Sequence, residues 1–228
     1  MPSSHIPLLN SVNENSCFDI KGHYRLVLMG AAHVGKTAIV HQFLYEHFPT
    51  EYIPTIEELY RGEYDVGNTG LVLDILDTSG TYEFPAMRKL AVDTGDAFIL
   101  VYAINDAESF EEVRRLKELL LEHKPSEAPI VVVGNKCDLE KQRVVQKEVA
   151  DTIVAIDWEN RFVESSAKDN INIVRIFKEI LTQANFPYDL NPSIQKRRTS
   201  LPLYSLPKSK NSNLTKNKKI KRNSCAVS

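Results

Sequence analysis

Gly30-Ala31-Ala32-His33-Val34-Gly35-Lys36-Thr37 has the spacing G-x-x-x-x-G-K-T, with Ala38 next in the chain. In such a loop the backbone N–H groups turn inward around phosphate oxygens, and a helix starting there adds positive potential. Lys36 is placed to contact the β- and γ-phosphates, and the Thr37 hydroxyl to ligate Mg²⁺. This pattern specifies a phosphate and leaves the base open. Asn135-Lys136-Cys137-Asp138 addresses the base. Guanine offers two donors, N1–H and the 2-amino group, and the Asp138 carboxylate has the acceptor pair to take both; adenine has no such pair of donors. Asn135 can tie this turn to the base and to the phosphate loop, and the Lys136 stem can lie over the ring. Ser166-Ala167-Lys168 can bring a backbone N–H to guanine O6.

Two shorter groups belong with these. Asp77-Thr78-Ser79-Gly80 ends a β-favouring run, so Asp77 can hold Mg²⁺ through water while the Gly80 N–H reaches a γ-phosphate. Pro54-Thr55 lies before that run, where Thr55 would complete the Mg²⁺ shell only with a γ-phosphate present. Phe48 can stack edge-on to the base, or can simply be core. The expected ligands are GTP or GDP with Mg²⁺.

These residues need a scaffold that brings distant loops to one edge. Residues 24–29 form a short β-favouring run, and 36–48 a helical stretch. Residues 59–66 and 71–76 flank Gly67-Asn68-Thr69-Gly70, the signature of a hairpin. Residues 97–104 and 130–133 are continuous apolar runs suited to strands buried on both faces, and 162–164 is a weaker strand. Helical spacing recurs over 107–123, 147–156 and 171–184. Alternation of strand and helix predicts an α/β fold: a mostly parallel sheet with helices on both faces, one antiparallel edge from the hairpin, and ligands at the carboxyl ends of the strands.

The chain has 228 residues, 43% hydrophobic and 25% charged, which suits one ordinary domain plus extensions. Its three cysteines (Cys17, Cys137 and Cys225) are far apart, a usage that fits a reducing compartment. No apolar run approaches the ~20 residues of a membrane-spanning helix, and neither a secretory signal nor a myristoylation site is expected at the N-terminus. The net charge of −2 hides an asymmetry: residues 187–228 hold ten Lys or Arg against Asp189, a local +9, leaving −11 for the rest. We divide the chain into an N-terminal extension (1–20), a nucleotide-binding domain (21–186) and a basic tail (187–228). The tail is expected to be disordered, being rich in Pro, Ser, Asn and Lys. It closes on Cys225-Ala226-Val227-Ser228, a C-a-a-X box whose terminal Ser favours farnesyl. One lipid chain anchors weakly. Lys216, Lys218, Lys219, Lys221 and Arg222 supply a second signal at ~1 kcal/mol per charge near an anionic leaflet. This assigns the tail to the inner leaflet of the plasma membrane in preference to nucleic acid.

In their order and spacing these motifs resemble the Ras family of small GTPases over roughly residues 21–186. The wording S-G…F-P-A-M-R-K-L and Asp157-Trp158 is closest to the Ras-dva and Dexras/Rhes branch. The resemblance implies a six-stranded sheet with five helices, and a monomeric switch that meets exchange factors, activating proteins and effectors. It makes Tyr52-Ile53-Pro54-Thr55-Ile56-Glu57-Glu58-Leu59-Tyr60 the effector switch and residues 77–88 the second switch. Lys36 and Gly80 take catalytic positions, and so does Thr81, where the family typically places the Gln that orients the attacking water. Ala32 and His33 stand where Ras has two glycines, and Ser79 replaces the usual Ala. These departures predict weak GTP hydrolysis, or at the limit a GTP-loaded binding module with negligible turnover. An ATP-using kinase or ATPase is disfavoured by Asn135 and Asp138.

Overall fold

The computed structural model describes residues 20–66, 69–80, 85–124 and 128–184. Their order is β1 (Ile20–Met29), α1 (Lys36–Tyr45), β2 (Glu57–Val66), β3 (Thr69–Thr78), α2 (Pro85–Thr94), β4 (Ala97–Ala103), α3 (Ala107–His123), β5 (Ile130–Asn135), α4 (Lys147–Thr152), β6 (Arg161–Glu164) and α5 (Ile173–Gln183). The strands form one six-stranded sheet in the order β2-β3-β1-β4-β5-β6, parallel except for β2. The apolar runs become β4 and β5, buried along their whole length. A strand covered on both faces has no solvent side, so it lacks polar alternation.

Helices cover both faces. On one, Ile39, Val40 and Phe43 of α1 and Ile176, Phe177 and Ile180 of α5 pack on Leu26 and Leu28. Phe43 and Phe177 stack at 3.6 Å between ring centroids. On the other, Val92 of α2 and Phe110, Val113, Leu116 and Leu120 of α3 pack on Val27 and Met29. The alternation along β1 thus sends neighbouring residues to opposite layers. Among the described residues no helix is long and apolar enough to cross a membrane.

Several expected boundaries move. β1 begins at Ile20, a residue assigned above to the N-terminal extension. α1 ends at Tyr45, short of 48, because Glu46 turns left-handed at φ 52° and donates its N–H to Gln42 O. Phe48 therefore lies in the loop beyond the helix. Thr69 and Gly70, expected in the hairpin turn, pair with Val66 and Asp65 in the ladder. α2 was not visible as a periodicity: it opens on Pro85, whose fixed φ suits a first helical position, and it buries only Ala91 and Val92. Residues 153–157 widen into a π-turn after α4.

Tyr102 of β4 is fully buried between Phe110 and Phe162, and its hydroxyl has no hydrogen-bond partner among the described residues. A Cβ placed on Gly134 would come within 2.7 Å of that oxygen, so the phenol is packed hard against the β5 backbone. An unsatisfied buried hydroxyl costs about 1–3 kcal/mol. Tyr102→Phe should therefore raise the unfolding free energy by about 1 kcal/mol, read as a higher urea midpoint with an unchanged slope.

Candidate functional site: a nucleotide cradle at the strand ends

The loop between β1 and α1 is shaped by two glycines. Gly30 has φ +149°, and a Cβ there would lie 2.1 Å from Val101 O; Gly35 has φ +96°, and a Cβ would meet Asn135 Nδ2 at 2.5 Å. Neither position admits a side chain without moving β4 or Asn135. Gly35 also caps α1 without any side-chain hydrogen bond, and the first turn carries no acid. The helix therefore presents its free N–H groups and positive end uncompensated, as an anion site requires. Lys36, almost fully buried, donates to Gly30 O at 3.0 Å and Ala31 O at 2.9 Å. Burial holds its pKa down to about 8, against the pull of Asp77. An anion in the loop would restore it.

Three residues from three elements meet beside this lysine. Thr37 Oγ1 donates to Asp77 Oδ2 at 2.5 Å and lies 3.0 Å from Thr55 Oγ1. Asp77 is fully buried, and its Oδ1 has no partner among the described residues. Burial pushes its pKa up to about 6, opposed by the Thr37 hydrogen bond and the Lys36 charge. Two hydroxyls and one orphaned carboxylate oxygen suit Mg²⁺, which takes few protein ligands and fills its shell with water and phosphate. Among the described residues no three His, Cys, Asp or Glu side chains form a metal cage, so a dedicated protein cage is not the arrangement on offer. Because the folded pKa lies above the ordinary carboxylate value of 3.8, ionising Asp77 costs stability as pH rises through that interval, and a cation offsets the cost. A Mg²⁺ ion held there should accordingly bind more weakly as pH falls below about 6, where Asp77 takes up a proton. Calorimetric titration at pH 7.5, 6 and 5 checks this, with Asp77→Asn expected to flatten the dependence.

Gly80 follows on the same side. A Cβ at Gly80 would fall 2.3 Å from Ala32 N and 2.4 Å from Ala32 Cα, so its backbone lies directly on the phosphate loop. Thr81 and Tyr82 lie outside the described residues.

The residues expected to read the base form a second network. Asn135 is buried; its Nδ2 donates to Val34 O at 2.9 Å, and its Oδ1 accepts from Ser165 Oγ and Ala167 N, both at 3.2 Å. One side chain thus joins the phosphate loop to the loops after β5 and β6. A backbone N–H of residues 166–168 is expected to face the base; that of Ala167 is given to Asn135 Oδ1. Asp138 Oδ1 accepts from Ser166 Oγ at 2.7 Å, and that oxygen accepts from Asp169 N at 3.0 Å. Lys136 has φ 65°, and burial holds its pKa below the ordinary value. Lys168 is exposed in the next turn. Ser165 was not singled out from sequence; the doubled serine before Ala167 was its only signal.

The segment before β2 is pinned at Thr55 and otherwise open. Ile53 and Ile56 are about two-thirds exposed, at 68% and 66%, an apolar surface free for a protein partner among the described residues. Tyr52 lies against His33 with ring centroids 4.1 Å apart. Tyr60 donates to Glu58 and lies 3.1 Å from His41 Nε2. Phe48 is partly exposed and makes no ring contact among those described.

Comparison with known proteins agrees with this geometry. The Ras family profile matches residues 25–186. The human (Homo sapiens) GTP-binding protein Rhes is 39% identical over 199 residues, 83% of this chain and 75% of its own. Its mouse (Mus musculus) and rat (Rattus norvegicus) counterparts are 40% identical over 187 residues, 78% of this chain and 70% of theirs. With the fold, the loop geometry and this similarity in accord, the chain belongs to the Ras family of small GTPases, in its Dexras/Rhes branch.

Proposed function

We propose that the cradle binds GTP and GDP and that the chain is a membrane-anchored signalling switch with slow hydrolysis. The observation that supports the reading is the Asn135 bridge, which joins the loop at Val34 to the turn whose Ser166 holds the Asp138 carboxylate. The relatives are themselves called GTP-binding proteins. Gly30 to Ala38 would wrap the phosphates, with Lys36 on the β and γ groups and the Gly80 N–H on the γ group. Asp138, held by Ser166, would accept from guanine N1–H and N2 amine. Thr37, Thr55 and Asp77 (through water) would hold Mg²⁺, which when bound neutralises charge shared by the β- and γ-oxygens. Thr55 would release its contact when the γ group is lost, and residues 52–60 would carry that change to effectors. Exchange factors and activating proteins would act on a monomer. The test is the nucleotide carried by protein purified from cells, identified by chromatography after denaturation: a guanine nucleotide is expected, and an adenine nucleotide would overturn the reading.

The second reading, a GTP-loaded module with negligible turnover, is favoured by Ala32, whose backbone is already covered by Gly80. Cys225 and the basic run lie outside the described residues; the proposal of a farnesyl anchor at the cytoplasmic face of the plasma membrane rests on their sequence. Five charges near an anionic leaflet contribute up to ~5 kcal/mol, screened by salt. Cys225→Ser should move the protein from the membrane to the soluble fraction. Retention on membranes would remove the prenyl anchor.

A further inference from the structure

His33 and Tyr52 make a contact that the nucleotide-binding machinery does not need. His33 sits in the phosphate loop at φ 62°, in the left-handed region that L side chains rarely adopt. Glycine would take that conformation freely, so the backbone does not ask for an imidazole there. The ring is exposed, and its aromatic partner among the described residues is Tyr52, at 4.1 Å between centroids and 36° between planes. Tyr52 is itself 58% exposed, so its ring is not buried in a core that would place it there anyway. Three residues on, Thr55 Oγ1 lies 3.0 Å from Thr37 Oγ1. The segment 52–55 is therefore tied at both ends to one rigid unit, the phosphate loop and the first turn of α1. On the nucleotide-binding reading, phosphates cradled by that unit would lie behind the tie and would pass it on leaving.

We propose that His33 is a positioning residue for nucleotide retention: it holds Tyr52 across the phosphate loop and slows release of bound GDP. The proposal rests on the nucleotide-binding reading above. Its physical basis is the aromatic pair, an interaction that adds to simple area burial when ring geometry is favourable. Opening the segment must break the pair before the phosphates are free, so its loss appears in the dissociation rate. The loop's own contacts, through Lys36 and Asn135, do not involve Tyr52, so the effect is a change in rate and not loss of binding.

Dissociation of GDP carrying a fluorescent N-methylanthraniloyl group, chased with excess GDP on the full chain, tests this. His33→Gly and Tyr52→Ala should each speed release about three- to tenfold, which at 1.4 kcal/mol per tenfold is about 0.7–1.4 kcal/mol. The double variant should be no faster than either single one, and His33→Phe, which keeps a flat ring, should retain slow release. Thermal stability of His33→Gly should be unchanged or higher, since glycine relieves the left-handed backbone. A wild-type release rate in His33→Gly, or additive effects in the double variant, would overturn the proposal. A wild-type protein that takes up no labelled GDP would instead overturn the nucleotide reading on which it stands.

Discussion

Replacing Asp138 with Asn should lower affinity for GTP by about 10²–10⁴-fold and raise affinity for xanthosine triphosphate. Two charge-assisted hydrogen bonds at about 1.5–3 kcal/mol each are at stake, which sets that range. The geometry also predicts the direction of the switch. Ser166 Oγ donates to Asp138 Oδ1 at 2.7 Å, so an Asn in its place would turn its amide oxygen towards the serine. Its NH₂ would then face the base. Guanine presents the 2-amino group at that point, and two donors oppose each other; xanthine presents an oxygen, which accepts. A site built around a specific hydrogen bond rejects the wrong partner far more strongly than an apolar pocket does, because buried polar groups are left unpaired. Displacement of fluorescent GDP by GTP and by the xanthine nucleotide measures both affinities. Unchanged GTP affinity in Asp138→Asn would take Asp138 out of the site.

What the sequence made legible was contiguous. The phosphate loop and the Asn135–Asp138 turn are short strings whose residue types do one job, and β4 and β5 declare themselves as unbroken apolar runs. What it hid depends on which strand lies beside which. Asp74 of β3 is fully buried, yet it is held by Arg61 Nε at 2.7 Å and His23 Nε2 at 2.8 Å, with Arg25 Nη2 at 3.7 Å. That cluster follows from the parallel β1–β3 and antiparallel β2–β3 registers, which no local pattern encodes. The Ser166–Asp138 and His33–Tyr52 contacts span 28 and 19 residues and were hidden for the same reason. α1 is shorter than its spacing suggests: Leu44 and Phe48 keep helical spacing, while the left-handed Glu46 ends the hydrogen-bond ladder between them. α2 is not legible because a helix that buries two residues and exposes Leu90 leaves little amphipathic signal.

Intrinsic GTP hydrolysis should lie at or below the Ras scale of about 3–5 × 10⁻⁴ s⁻¹, and ordinary Ras-activating proteins should accelerate it far less than their usual ~10⁵-fold. The first expectation comes from Thr81, which stands where the family typically has Gln. A threonine hydroxyl is too short to hold the attacking water as an amide does, and a poorly placed nucleophile loses effective molarity. The second comes from Ala32. Gly80 already lies against its backbone: a Cβ there would fall 2.3 Å from Ala32 N. The methyl of Ala32 adds bulk where an arginine from an activating protein must enter. The two obstacles act on different steps, so their repair should separate. Thr81→Gln alone should raise the intrinsic rate a few-fold without restoring the response in trans. Adding Ala32→Gly should recover part of that response. Single-turnover hydrolysis of the wild type and both variants, with and without an activating protein, distinguishes these outcomes. A wild-type rate well above the Ras scale, or one that Thr81→Gln lowers, would mean that another group, such as His33 or Tyr82, positions the water.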